Sequence, residues 1–256
     1  MKHKSMRKKL PSSGAIYGII LFVLLFSVTI PGYMTVSNLS NIIRQSAVLC
    51  FISMCSCLAI LTNQTDLSCG AISGFAACVA AKAMNGGSSI AAGCLIGLAA
   101  ALAIGAVNGL LAGFTEIPTF IITLATMSIA ESLGMVLQGG TIHIPYESFQ
   151  LLSEGNILYI PIPALLVAAL YIGMNYILKH RRYGTYLYAV GGKEDAAWTS
   201  GIHVKKIKLS VYLINAALAA AAGFIYAARL SAANPSQGNG LELNGICAAV
   251  LGGEVL

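Results

Sequence analysis

A chain of 256 residues that is 57% hydrophobic and 9% charged cannot cover itself with a water-facing surface, because soluble domains carry roughly a quarter charged residues. The net charge of +6 comes from 15 Lys and Arg against 9 Asp and Glu. A soluble enzyme is excluded, and the chain reads as a polytopic membrane protein with lipid, not nucleic acid, around it.

Residues 1–13 form a basic tail, "MKHKSMRKK" holding five Lys and Arg. An apolar run from Gly14 to Ile30 follows. A secretory signal would have this order, but no small-x-small cleavage site follows "SVTIPGYM" and the remaining chain is equally apolar. A first transmembrane helix is the better reading.

About 20 mostly apolar residues cross a bilayer, which predicts spans near 14–31, 46–63, 70–84, 90–112, 119–138, 160–179 and 209–229, with an eighth beginning near Ile246. The fold class is therefore all-α, a transmembrane helix bundle with 14–256 as one domain. The connections include "NGGSS", "GFTEIP" and the longer polar loop "GGTIHIPYESFQLLSEGNILY".

Charge placement orients the spans. Five Lys and Arg lie in residues 2–9 and seven in 179–208, separated by six predicted spans. Both segments then face one side, and basic flanks mark the cytoplasm. This places the N-terminus and the 180–208 loop inside and the 139–159 loop outside. Arg44 is the exception in an outer connection, and Lys82 sits at a helix end where it can snorkel.

Gly93, Gly97, Ala101, Gly105, Gly109 and Gly113 recur every four residues along the fourth span. Such a small-residue ladder lets helix backbones approach closely in lipid, and tight packing within the chain is preferred over a dimer seam. The seven cysteines lie mostly in apolar runs with no C-x-x-C pair. They read as helix-contact residues rather than as metal ligands.

Polar groups at membrane depth need a partner or a wet cavity. Asp66, Asn108, Glu131 and Asn215 are the candidates for a translocation path. Asn108 and Asn215 are also explained by interhelical hydrogen bonds, Asp66 by a cap or first-turn role at the third span. Glu131 is the hardest to explain structurally.

One polar island stands out, "YGTYLYAVGGKEDAAWTSGIHVKKIK" over 183–208. Gly191 and Gly192 are expected to let the chain turn, Lys193 to Ser200 to form two helical turns led by Glu194 and Asp195, and Gly201 to stop them. Ala196 and Ala197 keep that helix slim enough to lie in another protein's groove. An ATP-binding phosphate loop is excluded here, since the required Gly and Ser/Thr positions hold Leu187 and Glu194.

"EDAAWTSGI" resembles the coupling segment of permease subunits in ABC importers. More narrowly, "TVSNLSNIIRQSAV", "TDLSCGAISG", "GAVNGLLAG", "IPTFIITLATMSIAESLGMVL", "GTYLYAVGGKEDAAWTSGIHVKKIKLSVY" and "ARLSAANPSQGNGLELNGICAAVLGG" occur in the order found in ribose-type sugar permeases. The resemblance implies about ten spans, of which about seven and a half are present, so the chain is expected to be a C-terminally truncated piece. It further implies a bacterial cytoplasmic membrane protein paired with a second permease and served by an extracytoplasmic sugar-binding protein. Separate ATPase subunits would carry the ATP. Glu194, Ala196, Ala197 and Gly201 would belong to the coupling segment.

Two departures concern the substrate. Asn63, Gln64 and Thr65 precede Asp66 where the family commonly has Gly-Gly-Ile, and Glu131 stands where it commonly has Arg. An ion- or proton-coupled carrier, or a membrane subunit that transports nothing, remains open as an alternative.

Overall fold

The computed structural model describes residues 13–253 except 139. The basic tail, apart from Ser13, lies outside the described residues. Eleven α-helices run along the described chain: α1 (Ser13–Thr29), α2 (Val36–Leu61), α3 (Cys69–Asn85), α4 (Ile90–Phe114), α5 (Thr119–Gln138), α6 (Leu151–Glu154), α7 (Ile162–His180), α8 (Arg182–Gly192), α9 (Glu194–Thr199), α10 (Val204–Leu230) and α11 (Leu241–Leu251). The all-α membrane bundle is borne out. Of the expected seven full spans, α2, α4, α5, α7 and α10 are long and apolar enough to cross.

The differences from the predicted boundaries have physical causes. α2 begins ten residues before the predicted 46, because the Thr35 side chain caps it by accepting from the Asn38 N–H at 3.3 Å. Its polar first turns hid that start from a hydropathy reading. α3 has 17 residues, roughly 25 Å at 1.5 Å each, short of a hydrocarbon core of about 30 Å. Thirteen of those residues are buried, as expected of a helix surrounded by protein on all sides.

The glycine ladder packs inside the chain. A Cβ at Gly93 would press on Met84 and one at Gly97 on Ala80, both of α3, whereas Gly105 faces Ala216 and Tyr212 of α10. Gly109 lies on Leu209, and Gly113 on Lys205. The ladder therefore changes partner half-way, and α4 clamps α3 with its first half and α10 with its second.

At the end opposite α8 and α9, the predicted outer loop folds into two small antiparallel pairs. Strand β1 (Ile142–His143) joins β4 (Ala232–Ala233), and β2 (Asn156–Ile157) joins β3 (Ile160–Pro161). Tyr146 Oη donates to the Ser88 carbonyl at 3.0 Å, and Lys82 Nζ donates to Leu137 O at 2.8 Å. Arg44 reaches the same loop, donating to Glu154 O and Asn156 Oδ1 at 2.9 and 3.1 Å.

The segment after α10 corrects the expected eighth span. From β4 the chain turns into the bundle antiparallel to α3, so that Pro235 lies against Gly74 and Gly238 against Gly70. It reverses at Gly240, whose φ is +83°. α11 then starts at Leu241, not near Ile246, with its N-terminal turn beside Gly70 and Gly245 against Ile52. The start of this helix lies within the bundle.

Candidate functional site

The 62–68 connection between α2 and α3 is where the buried polar groups meet. α2 ends in a Schellman turn: Asn63 N–H donates to Ile60 O and Gln64 N–H to Ala59 O, both at 2.9 Å. Asn63 takes the left-handed conformation this turn requires, φ +53°, which accounts for an Asn at a site where glycine would serve. The chain then runs non-helically to Ser68. Thr65 is held from two sides, its N–H donating to Thr119 Oγ1 at 3.2 Å and its carbonyl accepting from Tyr212 Oη at 3.4 Å.

Asp66 sits at the centre of a network that joins four elements. Its Oδ1 accepts from the Ser68 N–H and hydroxyl at 3.0 and 2.7 Å, and its Oδ2 accepts from Asn215 Nδ2 at 2.9 Å. Ser68 Oγ in turn accepts from Asn108 Nδ2 at 2.9 Å, while Asn108 Oδ1 accepts from Thr126 Oγ1 at 2.7 Å. The chain of bonds thus runs from α10 through the loop to α4 and α5. No member is more than 5% exposed, and in such a low-dielectric setting each lost partner is felt strongly.

Three of the four path candidates are brought together, and one is not. Asp66, Asn108 and Asn215 bond mainly to each other and to Ser68 and Thr126, so they form a buried latch of side chains between the loop, α4, α5 and α10. Asp66 precedes α3 and holds the Ser68 N–H, close to the capping role expected of it. Glu131 stands apart, five positions along α5 from Thr126, half-buried, with Oε1 buried and unpartnered. Glu242 was not singled out from the sequence. It is 5% exposed, its Oε1 accepts from the Gly240 N–H at 3.1 Å, and its Oε2 is buried without a partner beside Gly70.

Within the 180–208 island α8 and α9 meet at nearly a single joint, and residues 204–208 already belong to α10. Gly191 and Gly192 are the last residues of α8 and not a free turn. A Cβ on Gly191 would overlap the Leu61 carbonyl, so α8 rests directly on the end of α2. The six-residue α9 ends as expected: Gly201 has φ +83°, and the Ile202 N–H donates to Ala197 O at 3.0 Å. Lys193 precedes it in extended conformation, and Glu194 pairs with Lys208 of α10 at 2.8 Å.

Ala197 corrects the expected docking face. It is buried in an apolar cluster with Leu58, Leu187, Val190 and Val204, so it faces its own bundle. Asp195, Ala196 and Trp198 face outward, and Trp198 is 71% exposed. Trp198 is the sole Trp of the chain and stands in a charged segment.

The sequence matches, over residues 38–255, the family described as branched-chain amino acid transport system / permease component. The chain belongs to this permease family. The ribose import permease protein of Escherichia coli K12 is 35% identical over 247 residues, covering 94% of this chain and 77% of that protein. That of Bacillus subtilis is 36% identical over 247 residues, covering 95% and 76%. The D-allose transport system permease protein of Escherichia coli K12 is 33% identical over 243 residues, covering 94% and 74%. No solved structure matches. The resemblance to sugar ABC importer permeases is thereby shown.

Proposed function

We propose that the permease is the membrane subunit of a binding-protein-dependent importer, passing a sugar or related polyol across the cytoplasmic membrane. Separate ATPase subunits, a second permease copy or homologue, and an extracytoplasmic binding protein complete the assembly. The N-terminus and the α8–α9 pair face the cytoplasm. The ribose and D-allose permeases among the relatives support a sugar over the amino acids of the family description.

The observation that carries this reading is the mechanical continuity from α9 to the latch. An outward-facing Trp198 and Asp195 give a motor something to hold, while Ala197 and Glu194 fix α9 to its own bundle. Displacing α9 moves α8, which bears on the Leu61 carbonyl through Gly191. Four and five residues later the same backbone carries Thr65 and Asp66, which are tied to α4, α5 and α10. A rigid-body shift at one end is thus passed to the groups holding the bundle closed.

The test is ATP hydrolysis by the assembly of permease, cognate ATPase and binding protein in lipid nanodiscs. Binding protein loaded with D-ribose or D-allose should stimulate hydrolysis over unloaded protein, and no response to either would overturn the sugar reading. A second reading, coupling to an ion gradient, draws on the unpartnered Glu131 oxygen. Uptake into vesicles that stops when an ionophore collapses the gradient, with ATP still present, would favour it.

A further inference from the structure

The junction of α7 and α8 gathers basic side chains at the end of a membrane-crossing helix. Lys179 and His180 close α7, Arg181 links it to α8 in extended conformation, and Arg182 opens α8. All four are exposed. Among the described residues no carboxylate pairs with them, the one ion pair being that of Glu194 with Lys208. Unpaired cations just past a span stand at the level of the lipid phosphates.

The Arg181 side chain folds back along the span instead of reaching into water. Its guanidinium carbon lies 5.2 Å from the centre of the Tyr176 ring, on which His180 stacks at 5.2 Å and 20°. Tyr176 is five positions earlier in α7, about 7 Å toward the membrane. The ring holds the arginine there by a cation–π contact. A planar guanidinium so placed suits two-pronged binding of a phosphate group.

The surface leading to the arginine suits hydrocarbon. Of the 19 residues of α7 only Pro163 and Met174 are buried. Ala168, Ile172, Tyr176 and His180 are exposed and recur every four residues, which places them in one stripe. An acyl chain laid on Ala168 and Ile172 brings its own headgroup to Tyr176 and Arg181, and tyrosine is a residue type suited to that depth. A second copy of the chain fits this stripe poorly. A two-fold seam sets the same patch against itself, and here it would oppose like charges.

We infer that the α7–α8 junction binds an anionic phospholipid of the adjoining leaflet, with Lys179, Arg181 and Arg182 on its phosphate and an acyl chain along Ile172. The inference is independent of the transport reading and needs only that α7 crosses the membrane. Arg182 is the first residue of α8, which rests on Leu61 through Gly191. The headgroup is therefore tied to the outer end of that lever.

The experiment uses the full chain in phosphatidylcholine vesicles, with Trp198→Phe and Ile172→Trp so that the single indole lies on the stripe. Phosphatidylglycerol or phosphatidylcholine, brominated half-way along the acyl chain, is added at equal mole fraction and the quenching compared. Brominated phosphatidylglycerol should quench several-fold more strongly. With Ile129→Trp in place of Ile172→Trp, at an exposed position half-way along α5, the two lipids should quench alike. Arg181→Gln with Arg182→Gln should abolish the preference. Tyr176→Leu keeps every charge but frees Arg181, and should reduce the preference in part; circular dichroism checks the helix content of each variant. Equal quenching by the two lipids at the stripe overturns the site, as does the same preference at the α5 position. A preference that survives the double substitution, or is untouched by Tyr176→Leu, overturns it too. Absence of quenching by either lipid would mean that protein covers α7, and inorganic phosphate erasing the preference at constant ionic strength would make the cluster a site for free anions. Either result overturns the lipid site.

Discussion

Asn215 Nδ2 donates to Asp66 Oδ2 at 2.9 Å across 149 positions of sequence, and this bond fastens α10 to the loop that begins α3. Asn215→Leu should leave that oxygen buried without a partner, lowering stability by about 1–3 kcal/mol. Asp66→Asn alone should also destabilise, by setting an amide donor against a donor or breaking the Ser68 bonds. Exchanging the pair, Asp66→Asn with Asn215→Asp, restores donor and acceptor in reverse order and should recover part of the loss. Thermal unfolding of the detergent-solubilised variants checks this, and strict additivity of the Asp66→Asn and Asn215→Asp effects in the double variant would mean that the contact carries no weight.

The glycine ladder gives a graded prediction along one helix. A Cβ at Gly105 would stand 2.6 Å from Ala216 Cβ and 2.7 Å from the Tyr212 carbonyl, whereas at Gly113 the nearest atom is 3.3 Å away. Gly105→Ala should force α4 and α10 apart at about 1–3 kcal/mol, and Gly113→Ala should be nearly neutral. The comparison of melting temperatures tests whether the ladder is an intrachain seam. Equal effects at both positions would contradict the packing.

Much of this architecture was legible in the sequence because apolar runs and a four-residue small-residue period leave a direct imprint. What was hidden has identifiable causes. α3 is too short to span and too buried to be an ordinary span, because α4, α5 and α10 surround it together with residues 235–242. Thr126 resembles any membrane-helix threonine that bonds its own carbonyls, as it also does with Ile122 O at 3.2 Å, so nothing in its neighbourhood announces Asn108. Glu242 sits next to a predicted span, and its burial depends on the chain turning inward after α10. Ala197 and Trp198 are adjacent in sequence, and which of them faces outward is decided by the apolar cluster around Leu58.

That cluster separates two variants that the sequence alone would group together. Trp198→Ala removes an exposed ring and should leave thermal stability unchanged while lowering ATPase stimulation by loaded binding protein several-fold. Ala197→Glu buries a carboxylate among Leu187, Val190 and Val204 and should unfold the α8–α9 region locally. Faster proteolysis of this segment in Ala197→Glu, and not in Trp198→Ala, is the expected readout. Identical proteolysis and identical coupling in the two would remove the distinction.

Gly201 offers a test of backbone conformation rather than contact. Its φ of +83° is in the left-handed region, and a Cβ there would meet nothing within 4 Å. Gly201→Ala should therefore cost only the conformational penalty, about 1–2 kcal/mol, and Gly201→Val more, because branching at Cβ adds restriction. A loss for Ala as large as that for Val would point to a hidden steric contact, and no loss for either would mean that α9 can end in another way.

Orientation is the prediction on which the direction of transport depends. The α8–α9 pair and the hairpin around Leu158 and Tyr159 lie at opposite ends, and Tyr159 and Trp198 are 100% and 71% exposed. If α9 faces the cell interior, Thr199→Cys should resist a membrane-impermeant maleimide in spheroplasts and react in inverted vesicles. Tyr159→Cys should show the reverse. Both substitutions belong in a background whose exposed native cysteines, Cys50 and Cys247, are replaced by alanine. The positive-inside bias of residues 179–208 supports this arrangement, and a swapped labelling pattern would place the proposed motor on the wrong side of the membrane.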